Sequence, residues 1–191
     1  MKEIRAMVAE ARAAGEEGSR SVAGLGIVYD RFVEIWPGYR EKIARGAVTM
    51  AGVVKSYFNH DPSNVLSTLD SNPPLELRDT EGGLEYVSPI PPTSYGKDLE
   101  VNLERGNVKG SSFAFDVPKG GDKWSEDENG IIQREITKLN LYEVGPVTDP
   151  AFVQTTAALR SAHDAVDEYR KSQVPVNRNL AERRQKLARL T

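Results

Sequence analysis

Glycine and proline divide this chain into short segments, and that division limits the folds open to it. Of the 191 residues, 16 are glycine and 11 are proline. Between these breaks lie β-branched and aromatic runs, such as residues 53–58 and 108–117, which are typical of strands. Several short strands with two or three helices predict a mostly-β α+β domain. Either a β-barrel or a sandwich with peripheral helices satisfies this pattern.

Helical periodicity is confined to a few stretches. Residues 2–14 are rich in Ala, Glu and Arg with apolar residues at helical spacing, which predicts an N-terminal helix followed by a linker at residues 15–19. Residues 39–44 indicate one or two helical turns, and residues 155–171 a longer helix. A further helix is predicted from a cap at Thr93 through Gly106.

These segments predict three parts: an N-terminal helix and linker at 1–19, a central domain at 20–160, and a basic C-terminal helical tail at 161–191. The charge distribution supports a distinct tail. The net charge is −3 overall, but residues 160–191 hold eight Lys or Arg and four Asp or Glu, a local +4. Such a tail is either a solvated helix or an interaction arm, and the solvated helix is the commoner case.

Composition excludes several classes of protein. The chain has no cysteine, which rules out disulfides, thiolate metal sites and cysteine catalysis. Its two histidines, His60 and His163, are 103 residues apart and form no metal-ligand spacing, so we expect neither metal nor cofactor. No apolar run is long enough to cross a bilayer, and the N-terminus lacks a secretory signal. An acidic net charge does not favour nucleic-acid binding.

Histidine is scarce enough to narrow the search for a general base. A lone histidine at the end of a strand is more often a structural, hydrogen-bonded residue than a catalyst. A serine nucleophile nevertheless needs a base beside it, and only His60 and His163 can supply an imidazole. His163 lies in the charged C-terminal helix next to Asp164, so we predict that it is a surface residue. His60 is the candidate.

Strand alternation favours one of two adjacent serines. Ser111, Phe113 and Phe115 share one face of the predicted strand, whereas Ser112 lies on the other face. The aromatic face belongs in the core, which predicts that Ser112 faces outward and is accessible to a substrate. The alternative is that Ser112 is an ordinary exposed strand serine.

Glu143 is the candidate third member of the site. It continues an apolar strand face with Leu139 and Leu141, where a carboxylate is costly unless it is paired. A histidine is one suitable partner, and a structural ion pair with Arg or Lys is the alternative. Asp61 adjoins His60 but precedes a proline, so we expect it to shape a turn.

Three motifs in this order resemble the prohead proteases of tailed bacteriophages. They are Asn-His-Asp at residues 59–61, Gly-Ser-Ser-Phe-Ala-Phe at 110–115 and Leu-Tyr-Glu-Val-Gly-Pro-Val-Thr-Asp-Pro-Ala-Phe at 141–152. A Trp-Pro-Gly-Tyr turn at 36–39, followed by Arg-Gly-Ala-Val at 45–48, resembles the family's early segment. The resemblance covers residues 24–160 and makes the central domain a protease domain. It departs from the family's usual residues at Ala114 and Gly145.

The resemblance implies a fold similar to that of the herpesvirus assemblins, a closed or partly closed barrel of about six to seven strands ringed by helices. It implies that His60 is the base, Ser112 the nucleophile and Glu143 the third member of a triad. The expected function is a serine endopeptidase that cleaves major capsid protein and scaffold segments in the prohead, within the host cytoplasm, as a homo-oligomer. Whether it also cleaves its own termini is left open. The competing class is a non-enzymatic capsid-assembly or scaffold-binding module on the same barrel.

Overall fold

The computed structural model describes residues 2–7, 11–14, 20–148 and 156–173. Within these residues the chain forms thirteen strands and two helices, which confirms a mostly-β α+β fold. In chain order they are β1 (Glu3–Met7), β2 (Ala11–Ala14), β3 (Ser21–Val28), β4 (Val33–Trp36), β5 (Tyr39–Ile43), β6 (Val48–Tyr57), β7 (Val65–Thr68), β8 (Glu76–Asp79), β9 (Gly83–Pro89), α1 (Ser94–Glu104), β10 (Gly110–Asp116), β11 (Asp122–Glu126), β12 (Ile132–Ile136), β13 (Leu139–Val147) and α2 (Thr156–Gln173).

The strands pair into three open sheets. Their orders are β1-β10-β13-β6-β7, β11-β12-β5-β4 and β2-β3-β9-β8. No sheet closes on itself within the described ranges, so the predicted closed or partly closed barrel of six to seven strands is not found. A barrel needs each edge strand to find a second partner. All six edge strands here have only four or five residues, which leaves little backbone for further pairing.

The N-terminal segment is built from strands, and the helix predicted over residues 2–14 is wrong. β1 pairs antiparallel with β10, with Glu3 opposite Phe115 and Met7 opposite Ser111, and β2 pairs with β3. Helix propensities differ by less than about 1 kcal/mol per residue, so pairing with an existing sheet overrides them. The helical turns predicted at residues 39–44 are likewise wrong, because β5 occupies that segment. The linker predicted at 15–19 lies outside the described residues.

The apolar core lies in the strand-rich part of the chain and fixes the orientation of β10 and β13. Phe113 and Phe115 are buried and stack with ring centroids 5.1 Å apart, as the strand alternation predicted. Residues from several strands and from α1 join them, including Ile27, Val54, Tyr86, Leu99, Leu139, Leu141 and Val144. Each fully buried side chain of this size contributes about 1.5–3 kcal/mol, which holds the two strands in register.

The two helices lie where the sequence predicted helices. α1 begins after Thr93, whose hydroxyl accepts a hydrogen bond from the backbone N–H of Gly96 at 3.2 Å. The chain divides into two units, Met1–Ser161 and Ala162–Thr191. Residues 174–191 of the predicted basic tail lie outside the described residues, and the boundaries at 19/20 and 160/161 stay predictions. No described helix is long and apolar enough to cross a membrane.

Candidate active site

The five-stranded sheet brings the three predicted site residues together. Nε2 of His60 lies 2.5 Å from the Ser112 hydroxyl oxygen, and Nδ1 of the same ring lies 2.6 Å from Oε1 of Glu143. A carboxylate, an imidazole and a hydroxyl are thus joined in one line of hydrogen bonds. This arrangement can move a proton from the hydroxyl to the imidazole while the carboxylate stabilises the resulting positive charge.

Strand register explains why the imidazole has to bridge the other two groups. β10 and β13 run antiparallel, with Ser112 opposite Gly145 and Ala114 opposite Glu143. Ser112 and Glu143 are therefore diagonal neighbours on one face, a placement that separates such residues by roughly 7–8 Å. The gap is too wide for a direct hydrogen bond. The ring of His60 fills it.

The turn after β6 aims His60 at the sheet. Asn59 and His60 both have positive φ angles, 56° and 59°, in the left-handed region that costs non-glycine residues energy. Hydrogen bonds across to the end of β13 hold this conformation. The Asn59 backbone N–H donates to the carbonyl of Pro146 at 3.1 Å, and its side-chain oxygen accepts from the N–H of Thr148 at 2.9 Å.

Asp61 shapes the turn, as predicted, and does not join the site residues. Its carboxylate accepts hydrogen bonds from the backbone N–H of Ser63 at 2.8 Å and from the side-chain amide of Asn64 at 3.2 Å. These local bonds close the turn at the residue after His60.

Close approach between β6 and β13 requires glycine at position 145. A Cβ atom on Gly145 would lie 2.3 Å from the backbone oxygen of Tyr57, the last residue of β6. Any side chain at this position would force the two strands apart. Because His60 follows Tyr57 by three residues, this contact sets how closely the histidine can approach Glu143.

Glu143 is buried, with 3% of its surface exposed. Among the described residues, its carboxylate contacts two basic side chains, of which His60 is the nearer. The other is the ammonium of Lys2, whose Nζ lies 3.8 Å from Oε2 and whose side chain is 55% exposed. A long contact to a half-exposed lysine contributes little. The ion-pair alternative therefore explains Glu143 less well than its contact with the imidazole.

Ser112 does not have the accessibility that the sequence predicted. Its exposed fraction is 0%, and its hydroxyl lies 2.9 Å from the backbone carbonyl oxygen of Arg5 in β1. The prediction failed because the strand that covers Ser112 was expected to be a helix. Ser111 is buried on the opposite face, as predicted, with its hydroxyl 3.1 Å from that of Tyr86. His163 is exposed on α2, also as predicted.

A buried charge cluster on the other face of β10 was missed by the sequence reasoning. Its members, which contact one another across β1, β5, β11 and β12, are Glu3, Arg5, Glu41, Asp122 and Arg134. The one signal for it was the alternation of Tyr39, Glu41 and Ile43. If that segment is taken as a strand, these three side chains share one inward face.

Glu41 is the centre of this cluster. Arg5 binds it through two nitrogens, at 2.5 Å from Oε2 and 2.9 Å from Oε1, and the Tyr39 hydroxyl donates to Oε1 as well. Burial alone would raise the pKa of Glu41. The charges of Arg5 and Arg134 and the hydrogen bonds from Arg5 and Tyr39 outweigh burial and lower that pKa to about 2.

Arg134 ties the rest of the cluster together. Its guanidinium donates to Glu3 at 2.9 and 3.1 Å, to Glu41 at 3.1 Å and to Asp122 at 2.8 Å. Among the described residues no group of three or more His, Cys, Asp or Glu side chains is placed to hold a metal ion.

Comparison with known proteins places the chain in a family. A comparison with curated proteins returns no match. The capsid assembly protease gp21 of bacteriophage T4 aligns with a TM-score of 0.47 and 9% identity over 78% of this chain and 99% of that one. The family model of the caudovirus prohead serine proteases matches residues 6–171. Because that match runs through most of the 191 residues, the protein belongs to the family of caudovirus prohead serine proteases.

Proposed function

We propose that Ser112, His60 and Glu143 are the catalytic triad of this prohead serine protease. The observation that supports the proposal is the continuous line of contacts from carboxylate to imidazole to hydroxyl, at 2.6 and 2.5 Å. Membership of a serine protease family requires an activated serine, and Ser112 is the serine that contacts His60. The strained φ angle of His60 is also typical of residues held in place for function.

In this mechanism the Ser112 oxygen attacks the carbonyl carbon of the scissile peptide bond, and its proton passes to Nε2 of His60. The tetrahedral intermediate collapses, the C–N bond breaks, and the imidazolium gives its proton to the leaving amine. Water then attacks the ester carbonyl and loses a proton to His60. The ester bond breaks and Ser112 regains its proton.

Glu143 acts on His60 throughout the cycle. Its buried carboxylate accepts the Nδ1 hydrogen, which leaves Nε2 free to accept the serine proton, and its charge stabilises the imidazolium that forms twice per turnover. A carboxylate shielded from water is more effective in this role than an exposed one, because the low local dielectric strengthens the interaction.

We also propose that the substrates are scaffold and major capsid protein segments, cleaved inside the assembling prohead in the host cytoplasm. The family description, a prohead serine protease of caudoviruses, supports this setting. Assembly into a homo-oligomer remains part of the proposal. A non-enzymatic assembly module is the competing class, and it does not require the alignment of the three side chains.

The test is co-expression of the protein with its capsid and scaffold proteins, followed by intact-mass measurement of all three. Ser112→Ala and His60→Ala should each abolish processing, since loss of either group commonly costs roughly 10⁴-fold or more in rate. Ser111→Ala and His163→Ala are the matched controls and should retain most of it. Full processing by Ser112→Ala would contradict the triad and favour the assembly module.

A further inference from the structure

Strand β1 occupies the space beside the Ser112 hydroxyl. The carbonyl oxygen of Arg5 lies 2.9 Å from that hydroxyl, and β1 pairs antiparallel with β10 with Ala6 opposite Ser112. A nucleophilic serine attacks the carbonyl carbon of an extended peptide from roughly 3–3.5 Å. Here the Arg5 carbonyl oxygen is hydrogen-bonded to the hydroxyl, so β1 occupies the space that a peptide carbonyl must enter.

The same contact shows that a substrate and β1 cannot both occupy the site. Ser112 has no exposed surface, and its single hydroxyl hydrogen has two acceptors, Nε2 of His60 and the carbonyl of Arg5. A substrate carbonyl can reach Ser112 only if β1 moves away or is replaced. An extended peptide can pair with β10 in place of β1, because the pairing uses backbone groups that every peptide has.

The Arg5 side chain lines a cleft on the opposite face of β10. Its guanidinium makes two hydrogen bonds to the buried Glu41 and lies over the ring of Phe115, 5.7 Å from the centroid. The cleft around it is also lined by the apolar side chains of Val28, Val33 and Ile43. A planar pair of donors facing a buried carboxylate is the arrangement that selects arginine most strongly.

A second side-chain site lies two residues earlier along the strand. Glu3 points to the same face as Arg5, and its carboxylate receives hydrogen bonds from Arg134 at 2.9 and 3.1 Å. The two sites have opposite charge. Together with the position of Ser112 they define a pattern: an acidic residue, any residue, then a basic residue whose carbonyl lies at the nucleophile.

We propose that β1 lies where the acyl half of a peptide substrate binds, and that Glu41 and Arg134 determine specificity. Glu41 selects a basic side chain on the residue that supplies the attacked carbonyl, and Arg134 selects an acidic side chain two residues before it. The inference rests on the proposed role of Ser112. It names the substrate class as extended segments with an acidic and a basic residue in this spacing.

The test measures how fast a fluorophosphonate probe labels Ser112 in the full-length protein, by intact mass. Arg5→Ala weakens the hold on β1 and should label roughly 10-fold faster than wild type, since it removes a buried charge-assisted pair. Arg12→Ala is the matched control, because Arg12 is an exposed arginine on the neighbouring strand β2. Labelling of Arg12→Ala should equal that of wild type.

The second arm uses peptides that protect Ser112 from the probe. One acetylated peptide carries Glu-Ile-Arg-Ala-Met, the sequence of β1, and two others replace its arginine with glutamine or glutamate. The arginine peptide should protect at a concentration roughly 30-fold lower than the glutamine peptide, because glutamine cannot replace the two guanidinium hydrogen bonds to Glu41. The three peptides are compared on the wild-type protein, which needs no substitution.

The outcomes separate this inference from the proposed function. Equal protection by the arginine and glutamine peptides, or no faster labelling of Arg5→Ala, would overturn the specificity site and identify β1 as a permanent strand, while Ser112 remains the nucleophile. Absence of labelling in every variant, together with unimpaired capsid processing by Ser112→Ala, would overturn the proposed function and this inference with it.

Discussion

Strand β10 buries charged groups on both of its faces, and the two faces differ in the partners of their carboxylates. On the Ser112 face, Glu143 contacts the imidazole of His60 at 2.6 Å. On the Phe113 face, Glu41 contacts the guanidinium groups of Arg5 and Arg134 at 2.5 to 3.1 Å. An imidazole gains and loses a proton near neutral pH, whereas a guanidinium never loses one in proteins. One face can transfer protons, and the other can only hold charge in place.

In the proposed function, this difference separates catalysis from recognition across the thickness of one sheet. The backbone of β10 lies between the two faces, and β1 pairs with its edge so that Arg5 contacts both, through its carbonyl on one side and its side chain on the other. A peptide held there has its attacked carbonyl and its recognised side chain fixed by one residue. Substitutions on the two faces should therefore affect different measurements.

The largest effect, on catalytic rate, should come from the Ser112 face, which we call the proton-transfer face. Glu143→Gln keeps the size of the side chain but removes the charge that, in the proposed triad, fixes the tautomer of the neutral imidazole and stabilises the imidazolium. We expect kcat to fall roughly 10⁴-fold, as it does when a triad carboxylate becomes an amide in other serine proteases. The measurement is the rate of capsid-protein cleavage. Glu85→Gln, on an exposed position of β9, is the matched control and should keep the wild-type rate.

A loss of less than about 10-fold in Glu143→Gln would show that the carboxylate only packs against His60 and does not assist it. The Ser112 face would then not differ from the Phe113 face in its ability to transfer a proton.

The next largest effect should be on stability. It comes from the Phe113 face, which we call the fixed-charge face. Arg134→Ala leaves Glu3, Glu41 and Asp122 with one fewer buried cation. Removing one partner of a buried ion pair costs about 3–5 kcal/mol, so the free energy of unfolding in urea should fall by about that amount. Arg78→Ala, at an exposed position of β8, should change it by less than about 0.5 kcal/mol.

Equal destabilisation by Arg134→Ala and Arg78→Ala would show that the cluster is solvated in solution and does not hold β1, β5 and β12 together. The side chains of the cluster would then not have a fixed geometry. The proposed role of Arg134 in recognition would lose its support.

The sequence revealed one face of β10 more completely than the other. Ser112, His60 and Glu143 each lie in a short distinctive motif, and strand alternation placed Ser112 opposite the buried Phe113 and Phe115. Their meeting in space was an expectation from resemblance and chemistry. The structure puts all three within hydrogen-bonding distance. Local pattern was sufficient because Ser112 and Glu143 lie within recognisable strands and His60 lies just after one.

The charge cluster on the other face could not be predicted, because its residues are distant in sequence and come together only through tertiary pairing. Glu41 is 36 residues from Arg5 and 93 from Arg134, and it lies in a segment whose local pattern favoured a helix. β1 was also expected to be helical, and this one error hid both the cluster and the covering of Ser112. The closed barrel failed for a related reason, since sheet closure depends on edge pairing that short strands do not specify.

The smallest expected effect is a pH dependence that belongs to the fixed-charge face. The pKa of Glu41 is about 2 in the folded protein and 4.5 for an ordinary glutamate, so the unfolded chain binds more protons between these values. Stability therefore rises with pH across this window: the contribution of Glu41 is complete above about pH 5 and is lost as the pH falls toward 2. One proton corresponds to a slope of at most about 1.4 kcal/mol per pH unit.

The measurement is urea unfolding from pH 5 to pH 2, in wild type and in Glu41→Gln. The variant should be less stable at pH 5, because Arg5 and Arg134 each lose one of their anionic partners. Its stability should also fall less steeply with acid. Glu81→Gln, at an exposed turn position, controls for the loss of a carboxyl group. If wild type and Glu41→Gln have the same slope, Glu41 is not held ionised by the two arginines. The two faces of β10 would then not differ in the way that the contacts indicate.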